Sequence, residues 1–219
     1  MVLINAIYFK GIWQQPFNKG DTRLDTFYGP NNQIKKIMFM NSTKEFDYYE
    51  DNGIQAISLN YTQDNLSALI ILPKKKRDIN NYIANFTSEK YNMIIGNLTN
   101  KKVELSLPRF EFDFSAELSQ IFKSFGMKDA FTGSADFSTM RKEKDIYISS
   151  IIHKTYIKVD EKGTEAAAVT AVVMRCMAAF PPDHIPVMKV DHPFLFVIRN
   201  NDVQPGNDII FISKVESLK

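Results

Sequence analysis

A chain of 219 residues with a net charge of +2 and a hydrophobic share of 44% has the balance of a globular protein. Its charge is too small to argue for nucleic acid or a membrane surface as a partner. Cys176 is the single cysteine, which excludes an internal disulfide and fits a reducing compartment without excluding secretion.

The first five residues, Met1-Val2-Leu3-Ile4-Asn5, are apolar but lack the cationic start and cleavage region of a signal peptide. Nowhere does an apolar run reach the ~20 residues of a membrane span. Residues 2–10 predict a strand buried on both faces, because Val2, Leu3, Ile4, Ala6, Ile7, Tyr8 and Phe9 leave no polar side; Gly11 and Pro16 close it. Residues 34–40 and 44–49 predict two strands around a polar turn. Residues 54–61 and 66–72 are apolar runs joined by Thr62-Gln63-Asp64-Asn65, a hairpin signal. From 78 to 98 the spacing of Ile79, Tyr82, Ile83, Phe86, Tyr91, Ile94 and Ile95 is helical, with a break near Thr87-Ser88. Residues 103–114 alternate as a long strand bent at Pro108. Ser115 can cap a helix that runs through Phe125 and ends at Gly126. Residues 131–137 are irregular. Residues 146–159 predict another long strand, and 187–199 and 208–215 predict closing strands. There is no repeat, no low-complexity linker and no evident domain boundary. The fold class is α+β, dominated by strands.

Enzyme chemistry finds little footing. Cys176 with His153, His184 or His192 could be drawn as a thiol and its base, but nothing near Cys176 reads as a helix start or an activating cluster. Asp183-His184 and Asp191-His192 recur as pairs that could hold a metal; the structural reading of these histidines is stronger, so no metal or cofactor is expected. No glycine-rich phosphate loop occurs. Lys74-Lys75-Lys76-Arg77 after Pro73 reads as a solvated turn rather than a polyanion site. Five Asn-x-Ser/Thr sequons, at Asn41, Asn60, Asn65, Asn85 and Asn97, read as mostly incidental in an asparagine-rich chain.

The most informative stretch is Glu161-Lys162-Gly163-Thr164-Glu165-Ala166-Ala167-Ala168-Val169-Thr170-Ala171-Val172-Val173. Strand alternation puts Thr164, Ala166, Ala168, Thr170 and Val172 on one uncharged, mostly small face that can enter a packed interior. Glu165 falls on the other face.

Glu-Lys-Gly-Thr-Glu-Ala-Ala-Ala resembles the hinge of a serpin reactive-centre loop. Asp191-His192-Pro193-Phe194-Leu195-Phe196-Val197-Ile198-Arg199 resembles the segment after that loop. Leu3-Ile4-Asn5-Ala6-Ile7-Tyr8-Phe9-Lys10-Gly11 with Trp13 and Phe17 resembles the strand-and-turn signature in the middle of the fold. The resemblance implies a partial serpin fold. Residues 1–219 would be its carboxyl-terminal portion, with the leading helices and the first strands of the large sheet lying outside. The reactive-centre loop would cover residues 161–186.

It also implies roles. Glu161, Gly163, Thr164, Glu165, Ala166, Ala167 and Ala168 match the hinge. Asn5 and His153 match the shutter, a polar network whose usual serine partners would lie outside this chain. Trp13 matches the breach. Counting on from Gly163 places the reactive bond between Met177 and Ala178. Its rival is Arg175–Cys176, since Met174-Arg175-Cys176 resembles the bait of intracellular-type serpins, and both stay open. The segment 178–190 is longer than usual and holds Pro181, Pro182 and Pro186. Met177 would suit a chymotrypsin-, cathepsin G- or elastase-like protease; Arg175 would suit a trypsin-like one with an acidic pocket. The implied function is inhibition of a serine endopeptidase by a suicide substrate, not an enzyme's own chemistry. The alternative is a non-inhibitory carrier or chaperone, or an inactive truncated serpin. The expected location is extracellular, with a cytoplasmic alternative.

Overall fold

The computed structural model describes residues 1–63, 65–76, 78–143, 145–164, 185–204 and 208–218. In chain order the elements are β1 (Val2–Tyr8), the short β2 (Gly11–Ile12), β3 (Arg23–Tyr28), β4 (Ile34–Glu50), β5 (Ile54–Asn60), β6 (Leu66–Pro73), α1 (Ile79–Ala84), α2 (Ser88–Gly96) and β7 (Thr99–Pro108). They continue with β8 (Phe110–Glu117), α3 (Ser119–Ser124), β9 (Ser150–Asp160), β10 (Gly163–Thr164), β11 (Val187–Lys189), β12 (Phe194–Asn200) and β13 (Ile209–Val215). The chain forms two compact units, one of Met1–Phe9 with Phe112–Ile157, the other of Lys10–Glu111 with Lys158–Lys219. Among the described residues no helix is long and apolar enough to cross a membrane.

In the first unit β1 lies parallel to β9, from Val2 opposite Ser150 to Tyr8 opposite Tyr156. The expectation that this strand is buried on both faces does not hold: Val2, Leu3, Ile4 and Tyr8 are exposed, Ile4 at 67%. A strand apolar on both sides is buried only when both faces and both edges are covered. Among the described residues β1 pairs with β9 alone. The helix expected from Ser115 also differs. The strand β8 continues to Glu117, and the helix is only Ser119–Ser124. The Glu117 carboxylate explains the boundary. It accepts the main-chain N–H groups of Ser119 at 3.1 Å and Ile151 at 3.3 Å, together with the hydroxyls of Ser119 and Ser150. Gly126, at φ +100°, ends this segment as expected.

The second unit is built on a sheet in the order β11-β7-β4-β5-β6-β12-β13, with β3 also paired to β4. Instead of two strands around a turn, residues 34–50 form one strand of 17 residues. Asn41, Ser42 and Thr43 have the composition of a turn, but each has a partner on β7, in Ser106, Leu105 and Glu104. The ladder satisfies their backbone groups, so no turn is needed. The bent strand divides at Arg109 into β7 and β8, and the closing strand divides into β11 and β12 around Val190–Pro193. The β5–β6 hairpin forms as its sequence indicates, from Ile54 opposite Pro73 to Asn60 opposite Ser67. The helical stretch splits where expected, with the Thr87 hydroxyl accepting from Lys90 N as the cap of α2.

Helices α1 and α2 bury one face of this sheet. Ile79, Tyr91 and Ile94 pack on Ile54, Ala56, Leu69, Ile71, Leu195 and Val197. Each such side chain contributes about 1.5–3 kcal/mol by leaving water. On β12 the alternate residues Phe194 and Phe196 meet the ring of Phe110 edge-on, at 5.7 and 5.3 Å.

Candidate functional site

The hinge-like residues begin where β9 ends. The Asp160 carboxylate accepts Lys162 N at 2.8 Å and turns the chain. Gly163 and Thr164 then run back antiparallel to β9, opposite Asp160 and Val159, and pair on their other side with Ile12 and Gly11 of β2. Gly163 has φ +152°, and a Cβ there would stand 2.0 Å from the Gly11 carbonyl oxygen. Only glycine fits a backbone approach of this kind. Thr164 is completely buried, with Oγ1 2.8 Å from the Tyr61 hydroxyl. Burial pushes the Tyr61 phenol far up, and its bond with Thr164 only partly offsets this, so the pair is neutral.

Glu161 is the charged element of the site and is 2% exposed. Its Oε1 accepts from the Thr22 hydroxyl at 2.5 Å, from Arg109 Nε at 2.8 Å and from a second guanidinium nitrogen. Burial alone would raise this carboxyl; the bonds from Arg109 and Thr22 outweigh it and hold the group below the usual carboxylate range. Around it, Trp13 donates from Nε1 to the Asp160 carbonyl at 2.9 Å and from its main-chain N–H to Lys162 O at 2.8 Å. Phe17 N donates to Glu161 O at 2.8 Å. The Trp13 ring stacks on Tyr61 with centroids 4.5 Å apart. A cleft of about 330 Å³ opens beside this cluster, lined by Lys19, Arg109, Phe110, Lys158 and Glu161.

A second carboxylate, Asp191, lies between β11 and β12. Burial would raise it, while bonds from His192 and Lys76 lower it further. A carboxyl lowered in the folded state contributes stability that is present above its unfolded value and lost as pH falls through the folded one. The urea midpoint should therefore hold from neutrality to about pH 5 and fall below about pH 4, with Glu161→Gln flattening the acid limb. A midpoint unchanged across that range would contradict the ion-pair geometry.

In the first unit, Asn5 and His153 are direct partners in the β1–β9 register. Asn5 Oδ1 lies 3.0 Å from His153 Nδ1, and Thr155 Oγ1 lies 3.0 Å from Nε2. Both ring nitrogens are thus occupied.

Residues 1–218 match the family described as Serpin (serine protease inhibitor). The chain is a serpin. An uncharacterized serpin-like protein of Thermococcus kodakarensis is 35% identical over 100% of this chain and 50% of its own length. The native-state structure of the thermophilic serpin tengpin is 34% identical, with a TM-score of 0.82 over 99% of this chain and 55% of that one. Human thyroxine-binding globulin complexed with thyroxine is 25% identical, with a TM-score of 0.86 over 100% of this chain and 56% of that one. The chain therefore spans about half the length of the relatives it matches.

Against the serpin pattern, the second unit brings together Trp13, Glu161, Gly163 and Thr164, while Asn5 and His153 meet in the first. Glu165, Ala166, Ala167, Ala168, Arg175, Cys176, Met177, Ala178 and His184 lie outside the described residues. Four contributors escaped the sequence reading: Thr22, Tyr61, Arg109 and Thr155. Thr155 had a readable signal, since residues two apart on a strand share a face. The other three are joined to the hinge only through the tertiary fold. His192 is structural, its ring nitrogens lying 2.7 Å from Asp191 Oδ1 and 2.6 Å from the Pro73 carbonyl. The described residues of the basic turn, Lys74, Lys75 and Lys76, are exposed as expected, and two of them also make ion pairs. Lys74 bridges Glu50 at 3.3 Å, and Lys76 bridges Asp191 at 3.0 Å while lying over the Tyr28 ring.

Proposed function

We propose that the full-length protein inhibits a serine endopeptidase as a suicide substrate, in keeping with the family description. The observation that carries the reading is the buried, neutral Thr164 at the start of a strand already folded back between β9 and β2. In the sequence Ala166, Ala168 and Thr170 follow at the alternate positions, all small and uncharged.

The protease serine attacks the Met177 carbonyl, the acyl-enzyme forms on Met177, and Ala178 leaves as the new amine. The freed segment then enters the sheet as an added strand, parting β1 from β9 and breaking the Asn5–His153 bond. Roughly ten new ladder hydrogen bonds at about 1 kcal/mol each, with about 0.8 kcal/mol for each buried methyl, make the step one-way. Before cleavage the chain is held in a kinetically trapped state.

Incubation with a chymotrypsin- or elastase-like protease should give a complex that survives SDS, releasing a carboxyl-terminal peptide that begins at Ala178. A peptide beginning at Cys176 moves the bait to Arg175 and the target to a trypsin-like enzyme. Cleavage by both classes without trapping by either would sink the inhibitor reading and favour a carrier, for which the likeness to thyroxine-binding globulin is the support.

Thr164→Arg tests the hinge. The cation would replace a neutral hydroxyl that meets Tyr61 at a fully buried position, at a cost of several kcal/mol. Insertion should then lose to deacylation, and the number of inhibitor molecules consumed per protease should rise several-fold. An unchanged stoichiometry would refute loop insertion from this residue.

A further inference from the structure

The five sequons differ in what their asparagines already do. Asn41 sits within β4 and spends both amide hydrogens, donating to the carbonyls of Asp21 at 2.8 Å and Phe39 at 3.1 Å. Asn60 is exposed at the end of β5, with its main chain held on both sides, paired to Ser67 of β6 and accepting from Gln14 N at 2.8 Å. Asn65 has φ +50° and donates to the Asp202 carboxylate at 2.7 Å, and the Ser67 of its sequon is fully buried.

Asn85 and Asn97 share a different arrangement. Each is the exposed residue that closes a helix, α1 and α2 respectively. The middle residues of the two sequons, Phe86 and Leu98, pack inward on the apolar cluster beneath the helices. The third residues, Thr87 and Thr99, are exposed again. The inward anchor leaves the residues on either side of it exposed, with the Thr87 hydroxyl accepting from Lys90 N and the Thr99 hydroxyl donating to the Tyr48 carbonyl, each at 3.4 Å. Asn85 Nδ2 donates to Asn81 O at 2.8 Å, with the exposed Asn81 Oδ1 at 3.3 Å, and Asn97 Nδ2 donates to Met93 O at 2.7 Å. An N-linked sugar replaces one amide hydrogen and leaves the other, so either helix end can keep its bond to the main chain after modification.

We propose that Asn85 and Asn97 are N-glycosylation sites. The donor is an oligosaccharide on a polyprenyl diphosphate, acted on by an oligosaccharyltransferase. The bond from sugar C1 to the diphosphate oxygen breaks, a bond from C1 to Nδ2 forms, the amide gives up one proton, and polyprenyl diphosphate leaves. The assignment rests on the extracellular reading of this chain and is independent of protease inhibition. Glycans at these two positions would coat the outer surface of the α1–α2 layer and leave the hinge and its cleft open.

The test is peptide mass spectrometry of the full-length protein, from its source and from secreting eukaryotic cells, after amidase deglycosylation in ¹⁸O water. Total lysate is read alongside the medium, so poor export does not hide the result. Labelled aspartate is expected at positions 85 and 97 and not at 41. Thr87→Ala and Thr99→Ala should each remove one glycan, while Thr87→Ser should keep it. Asn85→Gln with Asn97→Gln should abolish the mobility shift that deglycosylation produces. Unmodified asparagine at either position in the source protein overturns the assignment there, and a double variant that keeps the wild-type shift overturns it as a whole.

Discussion

Gly163→Ala should destabilise the protein by about 3 kcal/mol or more, because alanine meets two costs at once. The backbone stands at φ +152°, where a Cβ is strained, and that Cβ would lie 2.0 Å from the Gly11 carbonyl oxygen and 2.8 Å from Ile12 Cα. Both obstacles are main chain, held by the β2–β10 pairing, and cannot rotate away as a side chain would. Relief requires giving up the Gly163–Ile12 and Thr164–Gly11 pairs, and with them the burial of Thr164. Gly163→Val should not yield a folded second unit. The control is Gly133→Ala, where no atom lies within 4 Å of the added methyl, so its urea midpoint should match the parent. A Gly163→Ala midpoint within about 0.5 kcal/mol of the parent would show that the two strands do not approach this closely.

Much of this geometry was legible in the chain, and the limits have physical causes. The β5–β6 hairpin and the α1–α2 break could be read because alternation, helical spacing and turn residues are local signals. The uncharged, mostly small Thr164 face was readable for the same reason. What failed were features decided by distant partners. Asn41-Ser42-Thr43 looks like a turn until β7 pairs with it. The strand β3 has only Phe27 as a buried residue, so its alternation is too faint to detect. Residues 2–8 carry the composition of a buried strand, and their exposure reflects which neighbours meet them rather than what they are. Glu161 shows the limit most clearly. Its sequence context resembles a hinge, yet its ionic partner Arg109 is 52 positions away and its hydroxyl donor Thr22 is 139 away. Nothing in the spacing of the chain selects that arginine over the other cations.

That same triad carries the second large prediction. Glu161→Lys should cost about 3–5 kcal/mol at neutral pH, the penalty for a buried charge left without its partner. The new ammonium would take the place of a carboxylate that is 2% exposed, beside a guanidinium of like sign and a Thr22 hydroxyl that has lost its acceptor. Arg109 is 40% exposed in its side chain, so it can swing toward water and relieve the repulsion, but residue 161 cannot. Its main chain is held by Phe17 N, and the flanking carbonyls of Asp160 and Lys162 are held by Trp13. Glu161→Gln should cost less, about 1–3 kcal/mol, because the amide can still accept from Thr22 while losing only the charge. Pairing Glu161→Lys with Arg109→Glu restores opposite charges, and the double variant should recover part of the loss, giving a coupling energy that a purely steric defect would not show. Hydrogen exchange separates local from global effects. If the triad clamps the turn, the Thr164 amide should exchange faster in Glu161→Lys than amides of the β5–β6 hairpin do. Equal acceleration throughout the unit would mean that Glu161 supports the sheet as a whole and has no special hold on the point where the hinge enters it.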